Sequence, residues 1–99
     1  MKLNEFRRNN SKKGRGHPTY IYAKENGEYR YIGISHSPIT QGLKNIKLDK
    51  NPEPKNKTTA YIRPKSQKDK VSNFGKKLPK WKFADSDKQK VDFVKKRDK

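Results

Sequence analysis

The two histidines of the chain, His17 and His36, are its sharpest candidates for chemistry. A ribonuclease that works without metal needs a base to take the 2′-hydroxyl proton and an acid to protonate the leaving 5′-oxygen. Imidazole suits both tasks, because an ordinary histidine titrates near neutrality. Ser35 adjoins His36, and Arg15 stands two positions before His17. The hydroxyl can bond a phosphate oxygen. The guanidinium, with Lys12 and Lys13 beside it, can neutralise charge that builds on the phosphate. His17, His36, Ser35 and Arg15 therefore form the expected catalytic set, with no metal and no cofactor. The plainer alternative is that His17 only starts a strand and His36 only sits in a turn.

One hairpin must position this set. Thr19–Lys24 and Glu28–Ile34 are rich in Ile and Tyr, and Asn26-Gly27 between them is a strong hairpin signal, since both residues tolerate the positive φ of a type I′ turn. A two-residue turn pairs Glu25 with Glu28, Ala23 with Arg30 and Ile21 with Ile32. The same register continued sets Thr19 opposite Ile34 and His17 opposite His36, with Cβ atoms roughly 5 Å apart. One face then carries Ile21, Ala23, Arg30, Ile32 and Ile34, the expected core side. The other carries Tyr20, Tyr22, Tyr29, Tyr31 and Gly33. Tyr22 and Tyr31 on that face are candidates to stack on exposed bases, although tyrosines also cover a second small core with their hydroxyls at the rim.

Charge points to an anionic partner. The chain has 99 residues, is 27% hydrophobic, holds no cysteine and carries a formal net charge of +17. Such an excess favours nucleic acid, RNA somewhat ahead of DNA. Disulfides and thiolate metal sites are excluded. No apolar run is long enough to span a membrane and the start has no apolar signal region, so a cytoplasmic protein is expected. Six Lys/Arg against one acid fall in residues 1–16, four against three in 17–49, and seventeen against six in 50–99. The hairpin is thus nearly neutral between two basic flanks. Arg63, Lys65, Lys76, Lys77, Lys80 and Lys82, with Lys12 and Lys13, are expected to contact phosphates without reading sequence.

The remaining elements frame a single small domain. Residues 1–16 contain a basic, glycine-bearing stretch and read as a flexible arm. Residues 37–57, with Pro38, Pro52 and Pro54, read as a structured loop. Thr58–Arg63 reads as a third strand ended by Pro64, and Lys80-Trp-Lys-Phe83 as a last strand with one buried face. Ser86 followed by Gln89 has capping-box spacing, and Val91 and Val94 give an apolar stripe, so a helix is expected at about 86–97.

His17-Pro-Thr-Tyr-Ile-Tyr22, preceded by Gly14 and Gly16, and Tyr31-Ile-Gly-Ile-Ser-His-Ser37 resemble the PemK/MazF toxins. His17 stands where that family has an arginine, and Ser35 where it has a threonine. The resemblance covers residues 14–37. It implies a small SH3-like β-barrel, endoribonuclease activity and, in a toxin–antitoxin pair, an acidic antitoxin as protein partner. A second likeness, of Tyr20-Ile-Tyr22 and Tyr31-Ile-Gly33 to the GIY-YIG nucleases, lacks what that family needs next. No arginine lies between Gly33 and Tyr61, and Glu53, the one glutamate after Gly33, is flanked by prolines. The expected architecture is therefore mainly β (α+β), a barrel with a basic N-terminal arm over residues 1–16 and a domain over 17–99 that ends in the helix. The expected function is nucleic-acid binding, with toxin-like, metal-independent endoribonuclease activity. The alternative is a non-catalytic nucleic-acid-binding or inhibitory module of a mobile element or phage, and a third class is a basic protein docking on an acidic one.

Overall fold

The computed structural model describes residues 1–97. Its main sheet is built around the hairpin of β2 (His17–Glu25) and β3 (Glu28–Ser35). The turn residues Asn26 and Gly27 have φ of 50° and 82°, as a type I′ turn requires. Strand β1 (Glu5–Asn9) pairs antiparallel with β2, and β9 (Phe74–Lys77) pairs with β1. Along its other edge β3 pairs first with β8 (Gln67–Lys70) and then with β7 (Tyr61–Ile62), which pairs with β6 (Ile46–Lys47). A separate two-stranded ribbon, β4 (Ile39–Thr40) and β5 (Leu43–Lys44), follows β3. Helix α1 runs from Asp85 to Arg97.

The domain is α+β, mainly β, as expected, but the sheet is not a closed barrel. Its order is β6-β7-β3-β2-β1-β9, and closure would require the two end strands to pair. These have only two and four residues. A helix covers the core face instead. Phe6, Ile32, Ile34, Leu48, Ala60, Ile62 and Phe83 pack there with Val91 and Val94 of α1. A smaller cluster of Ile21, Tyr29, Tyr31 and Phe74 lies apart from it.

The register of the central hairpin departs from a uniform ladder. Glu25 pairs with Glu28 and Ala23 with Arg30, but then Ile21 pairs with Tyr31, Tyr20 with Ile32 and Thr19 with Gly33. Tyr22 is the extra residue of a β-bulge. Before the bulge the pairing follows the turn, and after it every partner is displaced by one. Ile21 therefore joins Tyr29 and Tyr31, while Tyr20 and Tyr22 pack with Ile32 and Ile34. The tyrosine ladder is split between two packing surfaces, so Tyr22 and Tyr31 do not share one face.

Residues 1–16 are not a free arm. Phe6 is 3% exposed, and its ring lies 5.0 Å from those of Tyr20 and Phe83. Glu5, also buried, takes an ion pair from Arg7, whose guanidinium donates as well to Gly75 O at 2.8 Å. No strand forms at 80–83: Lys80 sits in a turn with φ of 69°, residues 81–83 are irregular, and Lys82 N bonds Pro52 O at 3.3 Å. The strand expected over 58–63 shrinks to Tyr61–Ile62. Asp87 ties α1 to the loop after β6. Fully buried, it accepts the backbone N–H of Asp49 at 2.7 Å and of Lys50 at 3.1 Å, and Lys90 Nζ at 2.9 Å. The Asp87 bond, reinforced by Asp49, raises the Lys90 pKa above its ordinary value against a burial effect of opposite sign.

Candidate nucleic-acid interface

At the end of the sheet where β2 begins and β3 ends, a cleft of about 470 Å³ opens. Its floor is His17 and Thr19 of β2 with Tyr31, Gly33 and Ser35 of β3. One wall is the loop from β1 to β2, which supplies Lys12, Lys13 and Arg15. The opposite wall is the chain between β7 and β8, which supplies Arg63, Lys65 and Gln67, and the tip of the β4–β5 ribbon adds Thr40 and Gln41. Five Lys/Arg side chains and one histidine line the cleft, and no carboxylate does.

Both walls are held by hydrogen bonds. Asn9 is fully buried at the end of β1. Its Nδ2 donates to Asp69 Oδ2 at 3.0 Å, and its Oδ1 accepts Ser11 N at 3.0 Å and Ser11 Oγ at 2.5 Å. Ser11 Oγ in turn accepts Gly14 N at 3.0 Å, and Gly16 N bonds Asn9 O at 2.7 Å. Gly14 passes so close that a Cβ there would lie 2.0 Å from Asn9 Oδ1. The loop that carries three cations is thus cross-braced. Burial raises the Asp69 carboxyl, but bonds from Asn9, Asn73 and the Lys70 amide outweigh it and hold the group below the usual carboxylate range.

On the other wall, Arg63 N bonds Gly33 O at 2.9 Å, and the Arg63 stem covers Gly33, where a Cβ would lie 3.0 Å from Arg63 Cγ. Arg63 Nη1 donates to Asn45 Oδ1 at 2.7 Å and to Thr40 O at 3.2 Å. Asn45 Nδ2 donates to Thr40 Oγ1 and Ser37 O, both at 2.8 Å. The guanidinium is aimed by neutral acceptors and keeps its charge uncompensated. Among the described residues no carboxylate forms a salt bridge with any of the five cleft cations.

The expected site residues divide cleanly. His17, Ser35, Arg15, Lys12, Lys13, Tyr31, Arg63 and Lys65 all line this one cleft. His36 does not. It lies past the end of β3, exposed, and the bulged register continued by two pairs sets His17 across from Ser35 instead. The paired-imidazole geometry is therefore not assembled. Tyr31 is 6% exposed and acts through its hydroxyl, which donates to Gln67 Oε1 at 2.9 Å. Tyr22 packs against the main core, with Lys95 Nζ 5.5 Å from its ring centre. Lys76 and Lys77 lie exposed on β9 at the sheet edge. Lys82 lines a second cleft beside Trp81 and α1, and Lys80 adjoins it in sequence. These last four lysines do not line the basic cleft.

Sequence reasoning missed Asn9, Thr40, Asn45 and Gln67. None carries a motif, and each also has a partner distant in the chain: Asn9 meets Asp69, Thr40 and Asn45 meet Arg63, and Gln67 meets Tyr31. Among the described residues no group of His, Asp and Glu is placed to hold a metal ion, and no helix is long and apolar enough to cross a membrane. Comparison with protein-family models, with curated proteins and with solved structures finds no match.

Proposed function

We propose that this protein binds single-stranded nucleic acid, RNA ahead of DNA, with the phosphate backbone held in the basic cleft. One observation carries the reading: five uncompensated cations and a histidine converge on a cleft whose lining has no carboxylate. Cations that converge on one cleft without acidic partners are poised for anions. The volume of about 470 Å³ suits a nucleotide. The test is the salt dependence of binding to a 12-nucleotide RNA. Five phosphate contacts give a log–log slope near −3.5 on a single strand, about −0.7 per contact. Replacing Lys12, Lys13 and Arg15 together by Ala is expected to make that slope shallower by about 2. Wild-type binding that is absent at low salt, or indifferent to salt, defeats the reading.

A second reading, RNA cleavage in the manner of the toxins that residues 14–37 resemble, is favoured by His17 sharing the cleft with Arg15, Ser35 and Arg63. With one imidazole there, His17 takes the 2′-hydroxyl proton as the 2′-oxygen attacks phosphorus. The bond from phosphorus to the 5′-oxygen breaks, that oxygen takes a proton from solvent, and a 2′,3′-cyclic phosphate remains. Arg15 and Arg63 face the charge that develops. Cleavage is then expected in the presence of a chelator, and to fall roughly 10²-fold or more in His17→Ala while His36→Ala cleaves as wild type does. RNA left intact by the purified protein assigns it to the non-catalytic class, such as an inhibitory module of a mobile element or phage.

A further inference from the structure

Phosphate contacts alone read no sequence, yet one wall of the cleft carries a group of another kind. Gln67 stands on β8 directly opposite Tyr31 of β3, and its amide lines the cleft among the cations. The Tyr31 hydroxyl donates to Gln67 Oε1 at 2.9 Å. In this arrangement the amide oxygen is turned to the tyrosine, and its two N–H groups remain for a ligand. Burial, with the charge of Asp69 adding to it, raises the Tyr31 pKa. A planar amide held this way in a phosphate-binding groove has the chemistry of a base reader.

We infer that Gln67 is a specificity-determining residue of the cleft, which donates a hydrogen bond to a carbonyl oxygen on the base of the bound nucleotide. The inference rests on the nucleic-acid reading above and adds selection among bases to it. Uracil, cytosine and guanine each present an exocyclic carbonyl, and adenine presents none. A strand of adenines leaves the Gln67 N–H groups with no carbonyl to meet inside a partly desolvated cleft, and an unmet buried donor is costly.

The experiment measures binding of the full chain to 5′-labelled 12-nucleotide oligomers of uridine, cytidine and adenosine at one fixed salt concentration. Uridine and cytidine strands are expected to bind roughly 10-fold more tightly than adenosine strands. In Gln67→Leu the three are expected to fall within about 2-fold of one another, with the salt slope unchanged, because phosphate contacts are untouched. Gln67→Met, which keeps the length and loses the amide, guards against a folding defect and is expected to behave alike. Tyr31→Phe, which frees the amide to turn, is expected to erode the preference in part. Equal binding of the three strands by the wild type overturns the inference and leaves the phosphate reading standing, as does a preference that survives both Gln67 substitutions. Failure to bind any of the three removes both.

Discussion

Gly14→Ala is the most severe small change the cleft can suffer, and its effect follows from the geometry. The added methyl would lie 2.0 Å from Asn9 Oδ1 and 2.6 Å from Asn9 O. No real carbon approaches so closely, so the loop or Asn9 must move. Asn9 is fully buried, and moving it costs its bond to the Asp69 carboxylate and its two bonds from Ser11. A bond to a charged group contributes about 2 kcal/mol and a neutral one about 1 kcal/mol, so the full loss is about 4 kcal/mol and partial relaxation brings it to about 2–4 kcal/mol. For a domain of this size the thermal midpoint should fall by about 10–20 °C. The functional effect should differ in kind from that of removing charge. Lys12, Lys13 and Arg15 are still present but no longer held over the cleft, so RNA affinity should drop roughly 10-fold through lost preorganisation. The salt slope should remain near that of the wild type, because the number of cations is the same. Thermal unfolding followed by circular dichroism, with anisotropy titrations at several salt concentrations, measures both. An unchanged midpoint and affinity would refute the claim that the Asn9 brace positions the cationic loop.

Two other perturbations probe parts of the same frame. Asp87→Ala strands the N–H groups of Asp49 and Lys50 and removes the buried partner of Lys90, so a loss of about 3 kcal/mol is expected in urea denaturation, with cleft binding by the folded fraction intact. Asp69 has a folded-state pKa below its ordinary value, so its contribution is present above the unfolded carboxylate range, about pH 4, and is lost as pH falls through the lower folded value. In Asp69→Asn the thermal midpoint should fall less steeply with acidification below about pH 4 than in wild type, and identical acid profiles would show that the Asn9 and Asn73 bonds do not stabilise the ionised form.

Some of this structure is legible in the sequence because its cause is local. Asn26-Gly27 sets a hairpin through φ values that few other residue pairs adopt. Val91 and Val94 lie on one side of α1, and both are buried. The excess of lysine and arginine is a matter of counting. What sequence hides is long-range. Nothing near Phe6 announces that it meets Tyr20 and Phe83, and a short basic stretch with one phenylalanine reads as a tail until a partner strand is known. Trp81 alternates with lysines as a strand would, but Lys80 before it sits in a turn with φ of 69°, which breaks the extended run. The Tyr22 bulge has no residue signature, because a uniform ladder is an equally good local solution. Only the need to pack both Ile21 with Phe74 and Tyr20 with Phe83 decides against it.

That bulge also explains why a wrong register still gathers most of a site. In an antiparallel hairpin the start of one strand and the end of the other adjoin whatever the exact pairing, so His17 and Ser35 meet in the same region under either register. A one-residue slip changes which neighbour shares a face. Continued past its last pair, Thr19 with Gly33, the bulged register sets Ser35 and not His36 across from His17. The cations are insensitive to that slip. Lys12, Lys13 and Arg15 ride on a loop fixed by Asn9, and Arg63 arrives because β7 pairs with Ile34 and Ser35. Charge attraction tolerates displacements of a few ångströms, whereas proton transfer needs hydrogen-bond contact. The features of the cleft that support phosphate binding are thus robust to the details of the hairpin. Those that would support two-histidine catalysis depended on a single residue of register.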